Sequence, residues 1–164
     1  MLTLEEMLLR LGLAVLLGLV IGLEREMAGK EAGLRTDMMV AAGSAIFSIA
    51  SLSLPYIIAV SPDAVPNVIA NNSGFLNLVS NIVVGVGFLG AGIIVKHGVH
   101  VRGLTTAATV WFVSAIGILC GIGLTDFAIV STIGITAVLE ILRRTNFHAF
   151  PASDTENGSE ENGV

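Results

Sequence analysis

The stretch Val86–Ala108, VGFLGAGIIVKHGVHVRGLTTAA, begins as an apolar helix, gathers Lys96, His97, His100 and Arg102 within seven residues, and returns to apolar sequence. Two apolar runs joined by a short basic segment are the pattern of two membrane spans whose connection lies where cations accumulate. The rest of the chain has the same grain. Of its 164 residues 54% are hydrophobic and 13% charged, with a mean hydropathy of +0.86. Soluble domains carry roughly 25% charged residues. The composition therefore predicts an all-α integral membrane protein.

Five apolar blocks are long enough to span, about 20 residues each. They run over 4–23, 38–58, 76–95, 104–120 and 125–142. The fourth and fifth are separated only by the glycines around Gly121 and Gly123, which predicts a tight helical hairpin. Arg10, inside the first block, can pair with Glu6 one turn back or snorkel outward. Arg25, Lys30 and Arg35 follow the first block, Lys96 and Arg102 the third, and Arg143 and Arg144 the fifth. Seven of the eight cations thus fall on one side, which the positive-inside rule assigns to the cytoplasm. The expected topology is five transmembrane helices, N-terminus outside and C-terminus cytoplasmic. Glu5 and Glu6 at the start are unlike the basic opening of a cleavable signal.

Residues 1–145 read as the membrane domain and 146–164 as a disordered acidic cytoplasmic tail, PASDTENGSEENGV from Pro151 onward being too polar to fold. The tail carries Asp154, Glu156, Glu160 and Glu161, so the formal charge of −5 leaves only −1 for the rest. No basic surface suggests nucleic acid. The single cysteine, Cys120, excludes an internal disulfide and reads as a small core residue.

Shifting the chain by seventy positions lays GLRTDMMVAAGSAI, from Gly33, on GLTTAATVWFVSAI, from Gly103, with seven of fourteen pairs identical. Gly22 falls on Gly92. The first two and the next two helices are accordingly expected to form parallel repeats about an axis along the membrane normal, with their basic loops facing each other.

Small residues mark expected helix contacts. Gly18 and Gly22, and Gly117 and Gly121, are G-x-x-x-G pairs, while Gly87 and Ala91 are a small-x-x-x-small pair. Gly85 and Gly92 form one stripe of the third helix and Gly87, Gly90 and Ala91 a neighbouring one, so that helix is expected to be central. At the basic edge, Thr36 and Thr105 are suitable N-caps. Arg35 and Arg102, just before them, oppose the helix dipoles and call for a nearby anion. Glu24, beside Arg25 in the sequence Glu24-Arg25-Glu26, is the leading candidate, followed by Asp37 and lipid phosphate. The expected functional network is Glu24 with Arg35 and Arg102, together with Arg25, Thr36, Thr105 and Thr106 around it.

His97 and His100 are three apart, but no Cys or carboxylate joins them as a zinc set. Mg²⁺ stays open without a ligand cluster, since Asp126, Asn81 and Glu140 are the few intramembrane oxygen donors. No phosphate-binding loop, nucleophile elbow or metalloprotease helix is present, so no catalysis and no cofactor are expected.

The blocks GLERE, AGLRT, VGFLGAGII and VRGLTTAAT, in this order, resemble the signature blocks of the MgtC/SapB (YhiD-like) membrane proteins, over about Leu8–Leu142. The matching positions are Glu24, Arg25, Gly29, Gly33, Arg35 and Thr36; Gly85, Gly87, Phe88, Leu89, Gly90, Ala91 and Gly92; and Arg102, Gly103, Leu104, Thr105, Thr106 and Ala107. Gly74, Asn77 and Asn81 stand where members often carry Asp, Arg and Gln. The cytoplasmic C-terminal domain of longer members is not in this sequence, so its ligand sensing is not carried over. The resemblance implies a multi-pass bacterial inner-membrane protein tied to magnesium limitation and, in pathogens, to survival in macrophages. It implies regulation more than transport. The expected partners are the lipid bilayer and other membrane proteins, the ATP synthase or a transporter among them, with a homo-oligomer left open. A small Mg²⁺ transporter is the alternative.

Overall fold

The computed structural model describes residues 2–71, 74–97 and 100–145. The expected tail at 146–164 lies outside them. Six α-helices follow in order: α1 (Leu4–Met27), α2 (Leu34–Ile58), a short α3 (Val65–Asn71), α4 (Gly74–Ile93), α5 (Leu104–Ile122) and α6 (Thr125–Arg144). Between α4 and α5 lies a small antiparallel hairpin, β1 (Val95–His97) with β2 (His100–Arg102). Among the described residues four helices, α1, α2, α5 and α6, are long and apolar enough to cross a membrane, and the apolar part of α4 is Asn77–Ile93.

Local chemistry explains the ends. Thr3 and Glu6 form a reciprocal capping box at the start of α1. Glu6 is thereby engaged, and Arg10 does not need it: Arg10 Nη1 donates to the Gly121 carbonyl at 2.9 Å, at the end of α5. A cation there meets the negative end of the helix dipole and an orphan carbonyl. The α5–α6 turn is closed by Gly123 at φ +95°, with Leu124 N donating to Leu119 O at 2.8 Å. This six-to-one bond past a left-handed glycine is the Schellman arrangement.

The core is built on α2 and α5. Ala14, Leu17 and Ile21 of α1, Ala41 and Ala45 of α2, Val113, Ile116 and Cys120 of α5, and Ala128 of α6 form one buried cluster. Small residues set the spacing. A Cβ at Gly18 would lie 2.8 Å from Ala41 Cβ, and one at Gly22 2.7 Å from Leu34 Cα. A Cβ at Gly121 would lie 2.6 Å from Ser48 Cβ, and one at Gly117 2.8 Å from Ser44 Cβ. Helices in lipid associate through such close approaches.

α4 is not the central helix its glycines suggest. It packs on α5 and α2, while Val84, Phe88 and Leu89 are exposed. Cβ atoms at Gly85, Gly87 and Gly92 would touch nothing within 4 Å, one at Gly90 would make ordinary contact with Ala107, and Ala91 is exposed. Only one side of this helix faces the chain. Exposed apolar side chains on the other helices, such as Leu9, Phe127, Val130 and Ile133, suit contact with lipid acyl chains.

Candidate functional site

The α1–α2 loop and the start of α5 meet at one end of the bundle. Thr106 Oγ1 donates to Glu31 Oε2 at 3.0 Å, and Ala32 packs with Val86 of α4 and Val110 of α5. The two basic segments expected to face each other are thus brought to the same end.

Within this end, Glu24 and Arg25 are both 4% exposed and Asp37 is fully buried. Arg25 Nε donates to Glu24 Oε2 at 2.5 Å. No ion pair joins Arg25 to Asp37 among the described residues. Glu24 Oε1 and both oxygens of Asp37 have no hydrogen-bond partner among the described residues. Asp37 is brought against α1 by the small residues there, since a Cβ on Gly18 would lie 2.8 Å from its carbonyl oxygen.

This differs from the expected network. Glu24 pairs with Arg25, whereas Arg35 and Arg102 are exposed and neither is bonded to Glu24. Thr36 and Thr105 do not cap. α2 starts at Leu34 behind Gly33 and α5 at Leu104 behind Gly103, neither with a side-chain cap bond. Gly103 takes φ +83°, and a Cβ there would collide with the Ile93 carbonyl oxygen, so the chain turns from β2 into α5 two residues earlier than a Thr105 cap requires. Thr36 and Thr105 are exposed, within the first turns.

The anions at these helix N-termini are Glu26 and Glu31. Glu26 Oε2 accepts from Leu34 N at 3.1 Å, serving α2. Glu31, through Thr106, serves the first turn of α5. Each carboxylate meets the positive end of a helix dipole. Glu31's carboxyl is held below the ordinary carboxylate range by its own backbone N–H, then by the Thr106 hydroxyl and by Lys30 and Arg102.

Sequence reasoning also missed a seam of hydroxyls away from this edge. Ser44, Ser48, Ser51 and Ser53 on α2 and Thr109 and Ser114 on α5 are buried. Ser44 Oγ donates to Ser114 Oγ at 3.0 Å. Ser48 donates to Ser44 O and Thr109 to Thr105 O, each one turn back along its own helix. The signal for the first pair was present, because Ser44 and Ser114 are one of the seven identities under the seventy-residue shift.

His97 and His100 are cross-strand partners in the hairpin rather than neighbours on a helix face. Val95 and Val101 favour the strand here. Among the described residues no three of His, Cys, Asp and Glu form a group able to hold a metal.

Comparison with known proteins agrees with the motif blocks. The model of the MgtC family matches residues 11–147. Protein MgtC of Brucella abortus (strain 2308) is 48% identical over 130 residues, covering 79% of this chain and 48% of the relative. Protein MgtC of Salmonella typhimurium (strain LT2) is 44% identical over 130 residues, covering 79% of this chain and 49% of the relative. The chain therefore spans about half the length of the curated relatives it matches. No solved structure matches.

Proposed function

The chain belongs to the MgtC family, and from that premise we propose that it is a non-catalytic membrane regulator or adaptor that acts in magnesium or acid-stress homeostasis by binding other membrane proteins. It is a multi-pass protein of the bacterial inner membrane. In this reading the α1–α2 loop and the β1–β2 hairpin face the cytoplasm and the N-terminus lies outside, as the distribution of cations favours. The ATP synthase or a transporter is a candidate partner on family grounds.

The observation that carries regulation over transport is the closed seam between α2 and α5. Transporters built from repeats place their substrate site near the midplane, where the repeats meet. Here that meeting place is filled by glycine-to-backbone contacts at Gly117 and Gly121 and by the Ser44–Ser114 bond. One observation favours the alternative of ion handling: buried Asp37 and Glu24 present carboxylate oxygens without a hydrogen-bond partner, beside the single buried cation among the described residues, Arg25.

Liposomes holding the purified protein and a Mg²⁺-sensitive dye test the choice. The expected result is no influx above protein-free liposomes. Influx in the wild type that disappears in both Glu24→Ala and Asp37→Asn would replace the regulator by a transporter.

A further inference from the structure

A crevice of about 500 Å³ opens between α2 and α4. Its walls include Met39, Gly43 and Phe47 on one side and Asn81, Gly85 and Leu89 on the other. Cβ atoms at Gly43 and Gly85 would meet nothing within 4 Å, so both backbones are bare toward the opening. From this crevice we propose that the chain receives one transmembrane helix of a different membrane protein, which presents small side chains to Gly43 and Gly85 and a polar group to Asn81. The proposal deepens the adaptor reading by naming where a partner sits.

Two independent observations point to a helix rather than to lipid. The first is Asn81. It is exposed, has no hydrogen-bond partner among the described residues, and lies two turns inside α4. A bare amide facing acyl chains is costly, and a hydroxyl or amide on a neighbouring helix removes that cost where a lipid tail does not.

The second observation is what fills the matching crevice. The seventy-residue shift carries α2 onto α5 and α4 onto α1, so the α2–α4 crevice corresponds to the one between α5 and α1. That one is covered by α6, which packs on both walls and buries Ala128 and Thr132, one turn apart. A single apolar helix with a small face and a hydroxyl is therefore the shape this scaffold accepts. α6 itself is committed to its own bundle through those two residues. A two-fold dimer pairs residue i of one copy with residue j of the other, so a second copy would enter with α4 or α2, whose exposed faces carry the bulky Phe88 and Phe47 rather than small residues. A foreign helix fits better than a second copy.

The test uses the intact chain in bicelles with Cys120→Ser and Leu89→Cys. The probe is a synthetic peptide with the sequence of residues 125–144 carrying a cysteine in place of Ala128. Crosslinking at position 89 is expected, saturating at one peptide per chain. Gly85→Leu, which fills the crevice, should weaken it about tenfold or more. Gly87→Leu, equally open but outside the crevice, should leave it unchanged. Equal loss in both variants overturns the proposal. So does crosslinking of two Leu89→Cys copies to each other through the introduced thiols, which assigns the crevice to a homodimer. Failure of the peptide to crosslink overturns it as well and leaves the Mg²⁺ flux result, and with it the regulator reading, standing.

Discussion

Gly117→Ala should open the seam on which the regulator reading rests. A Cβ at this position lies 2.8 Å from Ser44 Cβ and closer still to the Ala41 carbonyl oxygen. Carbon atoms pack best at about 3.5–4.0 Å, so α2 and α5 must part by roughly 1 Å. Neither obstacle is a flexible side-chain tip. One is backbone and the other a Cβ held by the Ser44–Ser114 bond. Overpacking of this kind costs about 1–3 kcal/mol. Replacing a helical glycine by alanine also brings a propensity gain of up to about 1 kcal/mol, which would mask part of the loss. Gly87→Ala supplies the reference, because Gly87 is also within a helix and faces open space. The difference between the two variants isolates the steric cost. Reversible unfolding in mixed micelles with increasing SDS should place Gly117→Ala below Gly87→Ala by about 1–3 kcal/mol. Equal stability of the two would mean that the seam yields freely, and the argument against a path between the halves would fall with it.

The Ser44–Ser114 bond should be measurable by a double-mutant cycle of Ser44→Ala and Ser114→Ala in the same micelle assay. A coupling of about 0.6 kcal/mol, and at most about 1.7, is expected for a hydrogen bond between membrane helices. Zero coupling would show that the two hydroxyls act independently. For the Glu31–Thr106 contact the expectation concerns pH. Glu31's carboxyl is depressed in the folded chain, so its stabilising contribution is present above the ordinary glutamate range and is lost as pH falls through the lower, folded value. Thr106→Val removes one cause of the depression. The melting-temperature gap between wild type and Thr106→Val should therefore be widest near about pH 7 and narrow toward about pH 3. A gap independent of pH would mean that Thr106 contributes only through packing.

The spans were legible because lipid leaves the backbone one economical choice. Each apolar run must satisfy its own N–H and C=O groups, so runs of sufficient length become helices. The Gly18–Gly22 and Gly117–Gly121 pairs were legible for a related reason, since small residues four apart mark faces that a neighbour can approach. Gly85, Gly87 and Gly92 carry the same local signal and meet no helix of this chain. Spacing tells that a face is bare, not which molecule covers it. The pairing of β1 with β2 was hidden because its histidines are three apart, a spacing shared by a helix turn and by partners on two strands. The caps were misassigned by two or three residues because the helices start behind Gly33 and Gly103, neither of which has a side chain to cap with, and Gly103 turns the chain at positive φ. Burial of Glu24 and Arg25 was also outside the reach of local pattern, since charges after a span are usually solvated. It takes the approach of α2 along Gly18 and Gly22 to cover them.

The two segments that the seventy-residue shift superposes also differ in their charges. Under the seventy-residue shift Glu24 falls on Ile94, Glu26 on Lys96, Glu31 on Val101 and Asp37 on Ala107. Of the two halves, only the first therefore brings carboxylates to the basic edge where the loops meet. Glu26 serves the helix that follows it, while Glu31 reaches across to the matching helix of the second half. The second half has no acid of its own to set against the dipole of α5, and borrows one. At Ala107 the carboxylate gives way to a methyl group, which would lie 3.6 Å from a Cβ built on Gly90 of α4. Glycines that admit no Cβ occur in both segments, Gly18 and Gly22 against α2 in the first and Gly103 against the Ile93 carbonyl in the second. The difference is the carboxylate, which the second takes from Glu31. α4 thus lies outside the α1–α2–α5 core and packs on α5 and α2 from one side, which leaves its other side to surfaces the chain does not supply.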